Sequence, residues 1–187
     1  MYKLIAKVIF SLKGWKIRGG IPHGIKKCVL IAAPHTSNWD FIYGSFAWRL
    51  FGLDVKYLAK KELFWVPLGV FLRALGGVPV DRKKNTNLVE AMAELIKNRK
   101  EIIVLMTPEG TRKKVDKWKT GFYHLALKAD IPIVLGKINY KLKEAFIGQS
   151  FIPSGDIQKD FEIIREFFKD AIGKNPENFD WRNVKAE

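Results

Sequence analysis

Apolar runs and amphipathic stretches alternate along most of this chain. The runs that are apolar almost throughout are 27–33, 55–59, 77–80, 101–107 and 131–138. The segments with apolar residues at helical spacing are 38–51, 61–75, 85–98, 120–129 and 156–172. Continuous apolar strands separated by helices are typical of a largely parallel or mixed central sheet flanked by helices. The pattern therefore predicts one α/β domain spanning residues 1–187.

The final helix has recognisable ends in the sequence. Asp156 is a suitable N-cap, and Gly173 can terminate the helix. The residues predicted to share its apolar face are Phe161, Ile164, Phe168 and Ile172. We expect this helix to be structural.

The N-terminal segment 3–15 is predicted to form an amphipathic helix with separate apolar and basic sides. The apolar side holds Leu4, Ile5, Val8, Ile9, Leu12 and Trp15, and the lysines lie elsewhere. Such a helix suits a membrane interface, which makes residues 1–18 a candidate interface segment. A helix packed on the core explains the same pattern, and both interpretations stay open.

Composition narrows the possible partners. The chain has 33 Lys and Arg against 19 Asp and Glu, a formal charge of +14, which favours polyanions such as nucleic acid, anionic lipid or an acidic carrier. The single cysteine, Cys28, excludes a disulfide framework and indicates a reducing compartment. No apolar run is long enough to span a membrane, and we expect no signal peptide.

The stretch "HTSNWD" follows the apolar run 27–33 and has two interpretations. In the first, Ser37 caps a helix and Asp40 completes a capping box. In the second, His35 is a general base at the carboxyl end of a strand, and Asp40 orients its imidazole. The two are compatible, because one carboxylate can serve both purposes.

Two further strand ends carry cations. The run 101–107 leads into "PEGTRKK", where Arg112 follows a glycine-containing turn, and the run 77–80 leads into "DRKK" with Arg82. An exposed turn beside Arg is a reasonable phosphate site, since the guanidinium supplies a planar fork of donors. A charged surface loop is the ordinary alternative for either segment alone.

These blocks together resemble the glycerolipid acyltransferase family, typified by the 1-acylglycerol-3-phosphate O-acyltransferases. The blocks are "HTSNWD" (35–40), "KKEL" (60–63) leading to "GGVPVDR" (76–82), "PEGTR" (108–112) and "KTGFYHLALKADIPIV" (119–134). The order and spacing of all four make the resemblance specific.

The resemblance implies a fold, a chemistry and a set of roles. His35 is the implied general base and Asp40 its partner, and the implied acceptor-binding residues are Arg82, Glu109, Gly110, Thr111 and Arg112. The acyl donor is expected to be acyl-CoA or acyl carrier protein, a cosubstrate only, with no bound cofactor and no metal. The apolar run 63–72 either lines an acyl-chain groove or packs in the core. We expect a peripheral protein on the cytoplasmic face of the membrane, without a transmembrane helix.

Alternatives remain at this point. The acceptor could be 1-acylglycerol-3-phosphate or another lyso-lipid, such as an aminolipid or glycolipid. A non-catalytic nucleic-acid-binding module is a remote alternative, for which "VDKWKTGFYH" (115–124) is the only suggestive segment. Because the lysines are otherwise spread along the chain, no nucleic-acid partner is expected.

Overall fold

A seven-stranded mixed sheet with helices on both faces forms the centre of the molecule. The computed structural model describes residues 2–80 and 88–187, except for the side chains of Leu88 and Ala91. The strands are β1 (Lys16–Gly19), β2 (Lys27–Ala33), β3 (Val55–Lys60), β4 (Gly77–Val80), β5 (Ile102–Met106), β6 (Ile133–Asn139) and β7 (Glu144–Phe151). The helices are α1 (Tyr2–Lys13), α2 (Asn38–Leu50), α3 (Leu68–Ala74), α4 (Leu88–Lys97), α5 (Gly121–Ala129) and α6 (Ile157–Phe168). The predicted fold class is confirmed.

The strand order is β1-β7-β6-β2-β5-β3-β4. β2 to β6 run parallel to one another. β7 pairs antiparallel with β6, and β1 pairs parallel with β7. The carboxyl ends of β5, β2 and β6 therefore lie side by side at one edge of the sheet. Ligands of open α/β sheets bind at this edge.

Alternate residues of β2 face the two apolar layers on opposite sides of the sheet. Val29, Ile31 and Ala33 pack with α4, α5 and α6. Cys28 and Leu30 face the opposite layer, where α1, α2 and α3 pack. Because both faces of β2 are buried, its sequence is apolar throughout rather than alternating.

Two strands and two helix boundaries differ from the sequence-based expectation. The expected strands omit β1 and β7, because neither forms an apolar run: β1 is exposed at the edge of the sheet, and β7 alternates in burial along much of its length. The expected helix 61–75 is instead a 3₁₀ turn (Lys61–Leu63) followed by α3, with Pro67 between them. Proline lacks the N–H that a helix interior requires.

The last helix ends before the predicted Gly173. Its N-cap is Asp156, as predicted, but α6 stops at Phe168. Beyond α6, two backbone carbonyls accept from residues at the end of β6 and just after it. Asn139 Nδ2 donates to the Asp170 carbonyl at 2.9 Å, and the Tyr140 amide donates to the Ile172 carbonyl at 2.9 Å. These tertiary bonds replace the helical ones.

Helix α1 packs on the core through one side, as one of the two interpretations predicts. Ala6 and Phe10 are buried against α2, together with Trp15 beyond the helix. By contrast, Leu4, Ile5, Val8 and Leu12, which were predicted to share a face, are between 44% and 80% exposed. The helix thus packs on the core through one side and presents an apolar surface on the other.

Candidate active site

The turn after β2 is built by helix capping. Ser37 is the N-cap of α2, where its hydroxyl accepts from the Trp39 amide, and Asp40 completes the capping box. Asp40 Oδ2 accepts from the amides of Thr36 at 2.6 Å and Ser37 at 2.7 Å. The capping interpretation is therefore correct, and it fixes a carboxylate beneath the turn.

The same carboxylate faces the imidazole. His35 Nδ1 lies 3.5 Å from Asp40 Oδ2, and the side chains are 21% and 5% exposed. This separation exceeds a hydrogen bond, but catalytic hydrogen bonds are commonly long without substrate. With Nδ1 directed at Asp40, His35 Nε2 is the nitrogen free to meet a ligand.

Glu109, from the loop after β5, holds the same turn from the other side. Its Oε1 accepts from the His35 backbone amide at 2.8 Å, and Oε2 has no hydrogen-bond partner among the described residues although it is buried. Burial, with the Asp40 charge as a smaller contribution, raises the pKa of Glu109 to about 8 against the opposing effect of the His35 amide. Glu109 is therefore largely protonated at neutral pH, which limits the negative charge around the imidazole.

Tyr140 completes the shell of Asp40. Its hydroxyl donates to Asp40 Oδ1 at 2.8 Å from the residue that follows β6. Burial, and next the Asp40 charge, raise the pKa of Tyr140 well above its usual value, so the phenol stays a donor. Asp40 thus has donors on both of its oxygens.

The segment after α6 also supports the turn. Asn175 donates from its side-chain amide to the Thr36 carbonyl at 2.9 Å and from its backbone to Thr36 Oγ1 at 3.2 Å. A Cβ at Gly173 would lie 2.7 Å from Thr36 Oγ1, so this close approach requires glycine. Neither Tyr140 nor Asn175 was predicted from the sequence, because neither belongs to a motif.

The remaining predicted acceptor residues are more dispersed. Gly110, beside Glu109, has a φ of +66°, which favours glycine at this turn. Thr111 and Arg112 are exposed on the loop that follows, where the Thr111 hydroxyl accepts from the Lys113 amide. Arg82 lies outside the described residues. His35, Asp40 and Glu109 are therefore brought together, and Arg112 lies three residues beyond Glu109.

An open cavity of about 370 Å³ begins at Glu109. Its other charged lining residues are Lys117, Lys119, Asp116 and Glu187, and Gly110 and Thr111 also line it. The Lys119 amide closes the loop by donating to the Pro108 carbonyl at 2.9 Å. The two lysines offer donors to an anionic group, while Asp116 and Glu187 place opposing charges in the same cavity.

Other chemistries receive little support from the described residues. Within 2–80 and 88–187, no group of three or more His, Cys, Asp and Glu is arranged to hold a metal ion. Trp118, Phe122 and Tyr123 are buried in the core, so the rings of "VDKWKTGFYH" do not form a stacking platform for bases. Over the same described ranges, no helix has the length and apolar character needed to cross a bilayer.

The chain is similar in sequence to known proteins. The family model described as Acyltransferase matches residues 17–134. A 1-acyl-sn-glycerol-3-phosphate acyltransferase of Haemophilus influenzae is 28% identical over 134 residues, covering 67% of this chain and 55% of that protein. The enzyme of the same name from Limnanthes douglasii is 32% identical over 125 residues, covering 64% of this chain and 43% of that protein.

The fold is also found among solved structures. The 1-acyl-sn-glycerophosphate acyltransferase PlsC of Thermotoga maritima superposes with a TM-score of 0.61 at 20% identity, covering 90% of this chain and 73% of that one. The chain spans about half the length of the curated relatives it matches.

Proposed function

Because this chain belongs to the acyltransferase family, we propose that it transfers a fatty acyl group from an acyl thioester to the hydroxyl of a lysophospholipid. The favoured acceptor is 1-acylglycerol-3-phosphate, which gives phosphatidic acid. The names of the similar proteins support this acceptor. The observation that carries the proposal is the imidazole of His35, partly exposed at the sheet edge and 3.5 Å from the buried Asp40.

The reaction uses His35 as base and then as acid. Nε2 takes the proton of the acceptor hydroxyl while the oxygen attacks the thioester carbonyl carbon. Asp40 stabilises the imidazolium that forms, as in other His–carboxylate pairs. The tetrahedral intermediate collapses, the C–S bond breaks, and the imidazolium returns the proton to the leaving thiolate. The products are an ester and a free thiol.

The neighbouring nucleophiles support direct transfer over an acyl-enzyme. Cys28 is fully buried in β2, and burial raises the pKa of its thiol to about 12. The hydroxyl of Ser37 accepts from the Trp39 amide as a helix cap. Neither group is a ready nucleophile for the thioester.

The loop after β5 supplies the binding groups. Arg112, Lys117 and Lys119 offer cationic donors for the acceptor phosphate near Glu109, and Arg82 is assigned the same role from the sequence. Oε2 of Glu109, which has no hydrogen-bond partner within residues 2–80 and 88–187, suits a glycerol hydroxyl. The formal charge of +14 favours either acyl-CoA or acyl carrier protein as donor, since both are anionic.

Helix α1 supports a lipid-surface location. The exposed apolar residues Leu4, Val8 and Leu12 stand beside exposed Lys3 and Lys7. Apolar side chains flanked by lysines suit insertion at an anionic interface. The run 63–72 adds Trp65, Val66, Val70 and Phe71, each at least half exposed, on the same side of the sheet. Core packing therefore does not explain these residues, and contact with lipid or the acyl chain is the alternative we favour.

The activity test combines a panel of acceptors with a matched histidine control. Purified protein is incubated with lysophosphatidic acid, lyso-aminolipids or lyso-glycolipids and with either donor, and products are identified by mass spectrometry. We expect phosphatidic acid from lysophosphatidic acid, and a loss of at least ~10²-fold in turnover for His35→Ala. His124→Ala, at an exposed position on α5, serves as control. Full activity of His35→Ala contradicts the mechanism.

The membrane test measures binding to vesicles. The double variant Val8→Asp with Leu12→Asp is compared with Leu142→Asp, which changes an exposed leucine in the turn between β6 and β7. On phosphatidylglycerol vesicles we expect the double variant to bind at least about tenfold more weakly, because each carboxylate opposes burial of the apolar face. If wild type, the double variant and Leu142→Asp bind the vesicles equally, α1 is not the membrane contact.

A further inference from the structure

We infer that Tyr140 is a positioning residue of the His35–Asp40 pair, acting through Asp40 rather than on the reacting atoms. The inference rests on the proposed function and extends it beyond residues 17–134, which the family model matches. Its basis is the hydrogen bond from the Tyr140 hydroxyl to Asp40 Oδ1 at 2.8 Å.

The sheet topology explains why a residue so distant in sequence reaches Asp40. β6 is the parallel neighbour of β2, with Ala33 in register with Lys137. The chain leaves β2 towards His35 and leaves β6 at Tyr140, so both arrive at the same edge. A parallel register of this kind places the phenol beside the turn without any local motif.

Tyr140 is held rigidly. Its backbone amide donates to the Ile172 carbonyl at 2.9 Å. Its ring makes edge contacts with Trp15 and Tyr43, at centroid distances of 5.1 and 5.9 Å. Because these contacts come from three separate segments, the hydroxyl cannot follow Asp40 if the carboxylate rotates. The hydrogen bond therefore fixes the carboxylate.

The two carboxylate oxygens of Asp40 have different partners, and this difference defines the role of Tyr140. Oδ2 accepts from two backbone amides and faces His35 Nδ1, whereas Oδ1 meets the phenol. Rotation of the carboxylate breaks these bonds, so Tyr140 keeps Oδ2 directed at the imidazole.

The chain provides a matched control for the test. Tyr123 donates to Asp160 Oδ2 at 2.7 Å, another buried Tyr–Asp hydrogen bond, but in the core between α5 and α6. Tyr140→Phe and Tyr123→Phe therefore remove the same atom from the same kind of bond. Their difference isolates the effect on the imidazole.

Kinetics give the first readout. For Tyr140→Phe we expect kcat to fall about tenfold, the rate equivalent of one hydrogen bond, with KM for acceptor and donor within about twofold. For Tyr123→Phe we expect kcat to stay within about twofold of wild type, although its melting temperature falls. An unchanged kcat for Tyr140→Phe, or equal losses in the two variants, overturns the inference.

The NMR signals of the His35 ring give the second readout, which does not depend on the proposed reaction. Without the phenol, Oδ2 of Asp40 is no longer held towards Nδ1, so the ring chemical shifts of His35 should change in Tyr140→Phe. Glu109, which accepts from the His35 amide, and Lys174, which lies over the Tyr140 ring, are unchanged in both variants. In Tyr123→Phe the His35 ring shifts should match wild type.

The two readouts separate the possible failures. If no acceptor of the panel is acylated but the His35 ring shifts still change in Tyr140→Phe alone, the proposed function fails and the coupling of Tyr140 to His35 stands. If acylation proceeds but neither kcat nor the His35 ring shifts respond to Tyr140→Phe, the proposed function stands and this inference fails.

Discussion

Two buried aspartates in the first turns of helices α2 and α6 have nearly the same surroundings. Asp40 accepts from Tyr140 and from the amides of Thr36 and Ser37. Asp160 accepts from Tyr123 and from the amide and hydroxyl of Ser154. Both side chains are at most 5% exposed.

The difference lies in what faces each carboxylate. Asp40 has the His35 imidazole at 3.5 Å and lies at the carboxyl edge of the parallel strands, with Glu109 beside the same turn. Asp160 joins α5 and α6 through its donors, inside the layer formed by α4, α5 and α6. A hydrogen-bonded aspartate in a helix's first turn is therefore a structural device, and of these two only Asp40 also faces an imidazole, which is the basis for the proposed catalytic role.

The largest expected effect comes from neutralising each aspartate. Asp40→Asn should lower kcat about 10³-fold, because an amide neither selects the required imidazole tautomer nor stabilises the imidazolium. Asp160→Asn should lower the melting temperature but leave the kcat of folded protein within about twofold. Steady-state kinetics together with thermal melts separate the two, and a comparable loss of kcat in Asp160→Asn breaks the comparison.

Glu109, which belongs only to the Asp40 region, should make stability depend on pH. Its pKa is raised from 4.5 to about 8, so the folded state keeps a proton that the unfolded chain releases. The stability that this proton provides is complete below about pH 4.5 and is lost as pH rises through 8. Glu109→Gln stays neutral and still accepts from the His35 amide, so its advantage over wild type should grow with pH.

Calorimetric Tm values between pH 5 and 8.5 measure this dependence. One pKa unit corresponds to about 1.4 kcal/mol, or roughly 3 °C for a chain of this size, so the gap should widen by several degrees. Glu101→Gln, at an exposed carboxylate, is the control and should show little change with pH. A gap that is constant with pH means that Glu109 is ionised in the folded protein.

The smallest effects on stability and activity should come from replacing Ser154 and Ser37. Ser154→Ala removes a donor to Asp160 and should cost about 1 kcal/mol of unfolding free energy without loss of activity. Ser37→Ala removes the α2 cap and should cost a similar amount, with activity reduced only a few-fold. Complete loss of acyl transfer in Ser37→Ala indicates an acyl-serine intermediate instead of direct transfer.

The sequence is a good guide where a local pattern causes the structure. Ser37 and Asp40 form the predicted capping box because capping depends on residues three apart. The apolar strands were found because burial on both faces leaves an uninterrupted run. His35, Asp40 and Glu109 were identified from motifs, and the structure brings these three together.

The sequence is a poor guide where the cause is tertiary. Tyr140 reaches Asp40 through the parallel pairing of β6 with β2, and nothing near residue 140 signals it. The end of α6 was placed too late because bonds from Asn139 and Tyr140 compete with the helix. The edge strand β1 and its neighbour β7 lack an apolar run because they are only partly covered.

The central claim is that Asp40 acts through His35, and a double-mutant cycle on kcat tests it most directly. The four proteins are wild type, His35→Ala, Asp40→Asn and the double variant, assayed with lysophosphatidic acid and an acyl thioester. We predict that Asp40→Asn costs about 10³-fold when His35 is present and less than about threefold when His35 is absent. An equal loss from Asp40→Asn in both backgrounds would mean that the two residues act independently, and it would contradict the account.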